Sequence, residues 1–202
     1  MEKTLKIVVV GLWLLLGTSC TTDQDLINVV DQRIQALKKK DLDGYLKADY
    51  YYIADTDKMT DTLPKVVWDK ERERLRQKYK SRFDETINQT PMPSGTQYNL
   101  NPGGVFLCPG MRSKILEVHR ASNIVTRDGK TMSGSRVYVQ CEFSDKNQSP
   151  YTRYTYYSDS TPKYTPQGKP LKKTIVAFSV VTSLSKPTIV DTSEVVEGQD
   201  FW

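Results

Sequence analysis

The spacing of apolar residues changes once along this chain of 202 residues, from a helical period to the two-residue period of a strand. Between residues 26 and 37 these residues fall on one face of a helix, on an arc of about 100°. From about residue 114 onward, apolar and polar residues alternate instead. Helices that precede strands predict an α+β fold, with N-terminal helices packed on a bent antiparallel sheet of about five strands.

Capping residues set the predicted boundaries of the helices. Asp23 or Asp25 can cap the first helix, and Asp41 is the predicted N-cap of a second helix, Leu42 to about Tyr50. A third helix runs from Val66 to about Glu85, in a stretch rich in strong helix formers. The apolar stripes of the first and third helices are Leu26, Ile27, Val30, Ile34 and Leu37, and Trp68, Leu75, Tyr79 and Phe83.

The strands are predicted from alternation and from turn residues. An Asp-Gly step at residues 128–129 is typical of the turn that joins hairpin strands. Residues 86–113 carry four prolines and four glycines and are expected to form an irregular insertion before the sheet. One further predicted strand contains the alternating residues Val137, Val139, Cys141 and Phe143. Three more are predicted at 151–158, 172–184 and 188–196.

The first 20 residues have the composition of an export signal. Lys3 and Lys6 precede the uncharged run Ile7–Leu16, whose helical length of about 15 Å is half of a hydrocarbon core roughly 30 Å thick. The run LLLGTSC resembles the lipobox of bacterial lipoproteins, which implies that Cys20 is lipidated, for example with palmitate, and becomes the first mature residue. Gly17 departs from that pattern, and ordinary signal-peptidase cleavage after Ser19 is the alternative.

This leader predicts the domain organisation and the location. Residues 1–19 form a lipoprotein signal peptide and residues 20–25 a tether. Residues 26–196 are long enough for a single domain, and residues 197–202 form a tail. We expect an exported protein that is anchored to a bacterial membrane through lipidated Cys20, at the outer membrane facing the periplasm or at the cell surface.

The order of the predicted elements is similar to that of the nuclear transport factor 2-like superfamily, which includes SnoaL-like proteins and has a cystatin-like α+β cone. The stretch KKKDLDGYLKADYYYIAD contains an Asp-Leu-Asp step, at residues 41–43, that members often carry between their first two helices. The resemblance covers most of residues 23–196 and implies a cone whose mouth serves catalysis in some members and only binding in others. Two features depart from it, because the strand pair expected early in the domain is poorly formed in Tyr51–Leu63 and the 86–113 insertion is long.

The sequence carries no motif for metal, cofactor or nucleotide chemistry. There is one histidine, no C-x-x-C pair, and in the mature chain no phosphate loop, dinucleotide fingerprint or nucleophile elbow. A net charge of +5 gives no reason to expect a nucleic-acid partner. His119 alternates with Leu116 and Val118, which predicts that it points away from the apolar face of its strand.

Two kinds of function remain open. The first is a lipid-anchored cell-envelope module without catalytic activity, which binds a small ligand or an envelope protein; a narrower form is a scaffold subunit of an envelope transport or conjugation assembly. The second is a pocket enzyme of the dehydratase or isomerase type that uses acid–base chemistry. Its candidate pocket residues are Asp49, Tyr50, Trp68 and Tyr154.

Tyrosines and cysteines supply two further predictions. Tyr138 lies on the polar face of its strand, and Tyr154 and Tyr156 share a face of theirs, which favours an interaction face for a homodimer through the sheet. Cys108 and Cys141 either form a disulfide, which would contribute about 3–4 kcal/mol, or remain two separate buried thiols. Spacing alone does not decide between these two states.

Overall fold

The computed structural model has an α+β architecture, with helices in its N-terminal half and an antiparallel sheet after them. It describes residues 21–88, 102–108, 110–143, 173–182 and 186–195, together with the backbone of four two-residue strands. The predicted signal peptide, Cys20, Tyr154 and the tail 197–202 lie outside these residues.

The described residues form five α-helices, and each of the first three begins at a capping residue. They are α1 Asp23–Lys39, α2 Leu42–Lys47, α3 Tyr50–Thr62, α4 Trp68–Asn88 and α5 Pro102–Val105, with a 3₁₀ turn at Lys65–Val67. The cap of α1 is Thr22 rather than Asp23 or Asp25, because Thr22 and Asp25 exchange hydrogen bonds in a capping box. Residues 23–25 of the predicted tether therefore form the first turn of α1.

The predicted second helix is interrupted before Tyr50. Asp41 caps α2 as expected, since its carboxylate accepts a hydrogen bond from the Gly44 N–H at 3.1 Å. At Asp49 the backbone is extended, with φ −91° and ψ 118°, and forms a parallel bridge with Ile189. A new helix, α3, then covers the region in which the family resemblance implies an early strand pair.

The described residues form a main sheet of four strands: β1 Arg112–Val125, β2 Thr131–Glu142, β7 Lys173–Val181 and β8 Thr188–Val195. Their order across the sheet is β1-β2-β7-β8, and all neighbouring strands are antiparallel. Four two-residue strands pair separately from this sheet, β3 with β6 and β4 with β5. They are β3 Thr152–Arg153, β4 Thr155–Tyr156, β5 Pro162–Lys163 and β6 Lys169–Pro170. The predicted strand at 151–158 is thus not a fifth strand of the main sheet.

The hairpin between β1 and β2 turns where the Asp-Gly step predicts. Gly129 has a φ of +79°, and its N–H donates to the Thr126 carbonyl at 2.9 Å. The Thr126 N–H donates in turn to the Lys130 carbonyl at 2.8 Å, which closes the loop.

A β-bulge at Leu116 changes which residues of β1 share a face. The register shifts between Ile115 and Glu117, so that Ile115 pairs with Val139 and Val118 pairs with Val137. The side chain of Leu116 is 40% exposed. The prediction that Leu116 and Val118 lie on one face is therefore wrong, because a bulge adds one residue to the two-residue period.

One buried cluster joins the two halves of the chain. It contains side chains of α1, β2, β7 and β8. Val105 and Phe106 belong to it with exposures of 0% and 2%, although they lie in the predicted irregular insertion. The rings of Phe106 and Phe178 are 5.7 Å apart, so the end of this insertion is part of the core.

The cluster predicts a large loss of stability for Phe178→Ala. Because this ring is fully buried, its removal is expected to lower the free energy of unfolding by about 3–5 kcal/mol, measured by urea denaturation. Val66→Ala is the control, since Val66 is 89% exposed and the change should stay within about 0.5 kcal/mol. Equal losses for the two variants would contradict the placement of Phe178 in the core.

Candidate functional site

Of the candidate pocket residues, Asp49, Tyr50 and Trp68 lie in the described part of the chain, and each makes a different contact. Asp49 pairs with Arg33 on α1, whereas Tyr50 packs on a separate small cluster formed by Ile124, Val181 and Val190. The indole N–H of Trp68 donates to the Leu63 carbonyl at 2.9 Å, a contact local to the start of α4. Tyr154 lies outside the described residues.

Arg33 and Asp49 form an ion pair inside the helical half of the chain. Arg33 is 4% exposed, and its Nη2 lies 3.3 Å from the Asp49 carboxylate. The guanidinium carbon lies 3.7 Å from the centre of the Tyr45 ring, in cation–π geometry. Among the described residues, Arg33 Nε has no hydrogen-bond partner.

Asp49 also has a second, purely structural role. Its other carboxylate oxygen accepts the Tyr52 N–H at 3.0 Å and so caps α3. The carboxylate therefore both binds Arg33 on α1 and caps α3, and these two contacts account for its position in the fold. The sequence analysis did not single out Arg33, although on a helical wheel it lies within about 20° of Leu26, at the edge of the apolar stripe.

A second polar group joins α3 to α4. Tyr79 donates its hydroxyl to Asp55 at 2.9 Å, and the Lys78 ammonium binds the same carboxylate oxygen at 2.9 Å. Burial raises the pKa of Tyr79 well above its usual range, and the hydrogen bond to Asp55 adds to this rise. Burial opposes ionisation of Asp55, but the bonds from Lys78 and Tyr79 outweigh it and lower the pKa of Asp55. The two shifts keep the Tyr79 phenol neutral and the Asp55 carboxylate charged near neutral pH, which preserves the hydrogen bond between them.

His119 lies on the sheet face opposite Val118, as the alternation predicts. It pairs with Arg136 in the register of β1 and β2. Its Nε2 lies 3.0 Å from the Glu117 carboxylate, and its ring meets the edge of Tyr138 at 5.5 Å.

Tyr138, which the sequence assigns to a possible interaction face, is largely covered in the structure. This side chain is 6% exposed and forms a small cluster with Ala177 and Val195 on the face away from the main core. The backbone of Tyr156 belongs to β4, but its side chain, like Tyr154, lies outside the described part of the structure. A homodimer through these residues remains a prediction.

Cys108 and Cys141 are thiols in the structure, without a disulfide between them. Cys141 belongs to the main buried cluster, and Cys108 packs against that cluster. Burial raises the pKa of the Cys141 thiol to about 12; Lys38 opposes this rise and Cys108 adds to it. The disulfide remains a prediction.

A groove of 480 Å³ opens where β1 separates from β2 near Ala121. Ala121 pairs with Gly134 and Ile124 with Met132, so two residues of β1 stand opposite Ser133 alone. This bulge leaves backbone unpaired and widens the space between the strands. The sequence analysis did not predict the groove, although the small residues at 121–123 and 133–135 interrupt the apolar alternation there.

Gly134 is required at the floor of this groove. A Cβ added to it would collide with the Val180 carbonyl oxygen and lie 2.7 Å from Cδ1 of Ile124. A carbonyl oxygen of a sheet strand cannot move away without breaking the ladder, so no larger residue fits.

Arg120 stands at the edge of the groove in a fixed position. Its Nη2 donates to Asp23 at the start of α1 at 3.0 Å, and its Nη1 donates to the Ser135 hydroxyl at 3.2 Å. The side chain is 64% exposed, so the guanidinium remains accessible to solvent. An arginine has five N–H donors, and these are its two hydrogen bonds within the described residues.

The described residues contain no group of three or more His, Cys, Asp or Glu side chains that could hold a metal ion. None of the helices they form is long and apolar enough to span a membrane.

The buried Arg33–Asp49 pair predicts that Asp49→Asn lowers the free energy of unfolding more than the same change in an exposed ion pair does. Asparagine keeps the helix cap but leaves the buried guanidinium without its counter-charge, which is expected to cost about 3–5 kcal/mol of unfolding free energy. Asp43→Asn is the control, since Asp43 and Arg76 form a solvent-exposed pair whose loss should change the free energy of unfolding little. Chemical denaturation of both variants measures the difference, and a loss at Asp49 no larger than at Asp43 would contradict the buried pair.

The cysteines predict selective alkylation. With a pKa of about 12, only about one Cys141 in ten thousand is a thiolate at pH 8, so iodoacetamide should modify Cys108 first and Cys141 only after unfolding. Peptide mapping by mass spectrometry locates the label. If neither cysteine is modified after unfolding without reductant, the two form a disulfide in the isolated protein.

Comparisons with protein-family models, with curated proteins and with solved structures found no match to this chain. The similarity to the nuclear transport factor 2-like superfamily therefore remains a prediction from the order of elements, and helix α3 departs from it.

Proposed function

We propose that this chain is a lipid-anchored binding or interaction module of a bacterial cell envelope that works without catalysis. The observation that carries the proposal is that ionisable side chains of the helical half bind one another. Arg33 and Asp49 pair with each other, and Tyr79 and Asp55 are bound together with Lys78. An acid–base enzyme requires at least two such groups that converge on an open pocket with a reacting atom between them.

The packing of the described residues between α1 and the sheet supports binding at the surface rather than in a cone pocket. We take α1 to lie across one face of the sheet, where its apolar stripe meets the inward residues of β2 and β7. The side chains that would line a cone pocket are instead buried in one cluster: Leu26, Val30, Val139, Phe143 and Phe178. Binding at such a domain takes place on its surface.

The start of α1 supports a close attachment to the membrane. Three residue steps separate Cys20 from Asp23, the first residue of α1, and they span at most about 10 Å when extended. A lipid on Cys20 would therefore hold the N-terminal end of α1, together with Arg120 bound to Asp23, next to the headgroups.

Labelling with a palmitate analogue in the bacterial host tests the anchor. We expect the wild-type chain to take up label and to fractionate with membranes, and Cys20→Ser to lose both properties. Cys108→Ser is the matched control, because it removes a thiol outside the leader and should keep the label. Label retained in Cys20→Ser, or absent from the wild type, would contradict lipidation at Cys20.

A further inference from the structure

The groove beside Gly134 is lined by hydrogen-bond donors, and the one carboxylate paired with them in the described part of the chain is Asp23 at its edge, bound to Arg120. Its lining includes the Arg120 guanidinium and the hydroxyls of Ser122, Ser133 and Thr182. None of these three hydroxyls has a hydrogen-bond partner within the described residues. A cation with several neutral donors around it is complementary to an oxyanion.

Arg120 is held in place before any ligand arrives. Asp23 binds one of its terminal nitrogens and Ser135, which is 1% exposed, binds the other. Two anchoring bonds reduce the side-chain entropy that a ligand would otherwise have to remove. The remaining N–H groups of the guanidinium can form further hydrogen bonds.

The bulge supplies the rest of the site. Ser122 and Asn123 face the single residue Ser133, so the backbone of this part of β1 lacks its regular ladder partners. Because Gly134 has no side chain, the Val180 carbonyl and the Ile124 side chain pack directly against its backbone beside the groove.

We propose that this groove binds a phosphate ester of a small hydroxylated molecule, with the phosphate at Arg120 and the hydroxylated part along the serine and threonine hydroxyls. A volume of 480 Å³ lies in the usual range of small-ligand sites, about 300–1,000 Å³, and exceeds what a bare phosphate fills. Such a group occurs both in free sugar or glycerol phosphates and in lipid headgroups. The site does not depend on lipidation of Cys20, so a negative result in the palmitate-labelling experiment would not contradict it.

Isothermal titration of the purified full-length chain with glycerol 3-phosphate tests the site. We expect saturable binding, and a loss of affinity of about tenfold or more in Arg120→Gln. Asp23→Asn is the matched control, because it breaks the same ion pair with Arg120 but keeps the guanidinium. Its affinity should fall much less than that of Arg120→Gln, since the guanidinium remains and the asparagine oxygen can still accept its hydrogen bond.

The remaining titrations distinguish the ligand classes. Glycerol without phosphate should not bind measurably, and inorganic phosphate should bind more weakly than the ester. Short-chain phosphatidylglycerol, below its micelle concentration, identifies a lipid headgroup as the source if it binds at least about tenfold more tightly than glycerol 3-phosphate. An equal or lower affinity identifies a free phosphate ester.

Three results would overturn the proposal. These are no saturable binding of glycerol 3-phosphate to the wild type, equal binding of glycerol, or equal loss of affinity in Arg120→Gln and Asp23→Asn. The last result would show that the ion pair matters only for the local structure. Thermal unfolding of both variants shows that each is folded under the titration conditions.

Discussion

The extended residue Asp49, together with Ala48 before it, holds the helical half of the chain to the sheet. The Ile189 N–H donates to the Ala48 carbonyl at 2.8 Å, and Asp49 bridges the same residue of β8. The Asp49 side chain then binds Arg33 on α1 and caps α3. One residue thus sets where α2 ends, where α3 begins and how α1 is held, and its charge is compensated by a buried guanidinium that would be costly alone.

Local signals in the sequence were sufficient for part of this fold. The stripe of α1, the Asp41 cap and the Asp-Gly turn depend on neighbouring residues, and the structure contains all three. The break before Tyr50 depends on pairing with Ile189, which no local pattern contains. The glycines and prolines of residues 86–113 likewise concealed Val105 and Phe106, two consecutive apolar residues that enter the core.

The candidate sites were harder to predict for a different physical reason. Periodicity assigns a side chain to a face only while each strand residue has one partner, and β1 breaks that condition at Leu116 and again after Ala121. The first bulge exposed a leucine expected to be buried, and the second opened the groove beside Gly134. The alternation placed Tyr138 on the correct face of β2. The polar residues that share this face in the sequence gave no sign that it carries its own small apolar cluster.

The shared cluster of α1 and the sheet also governs the order in which the domain acquires stability. Leu26 and Phe178 occupy one core although they stand on the order of 150 residues apart, and Asp23 and Arg120 are 97 residues apart. Helix α1 precedes every strand in the chain, and its apolar face gains partners in turn as α2, Phe106 and β2 follow it. The core is complete only when β7 and β8 have joined the cluster, so part of an amphipathic helix stays uncovered until nearly the whole described chain is present.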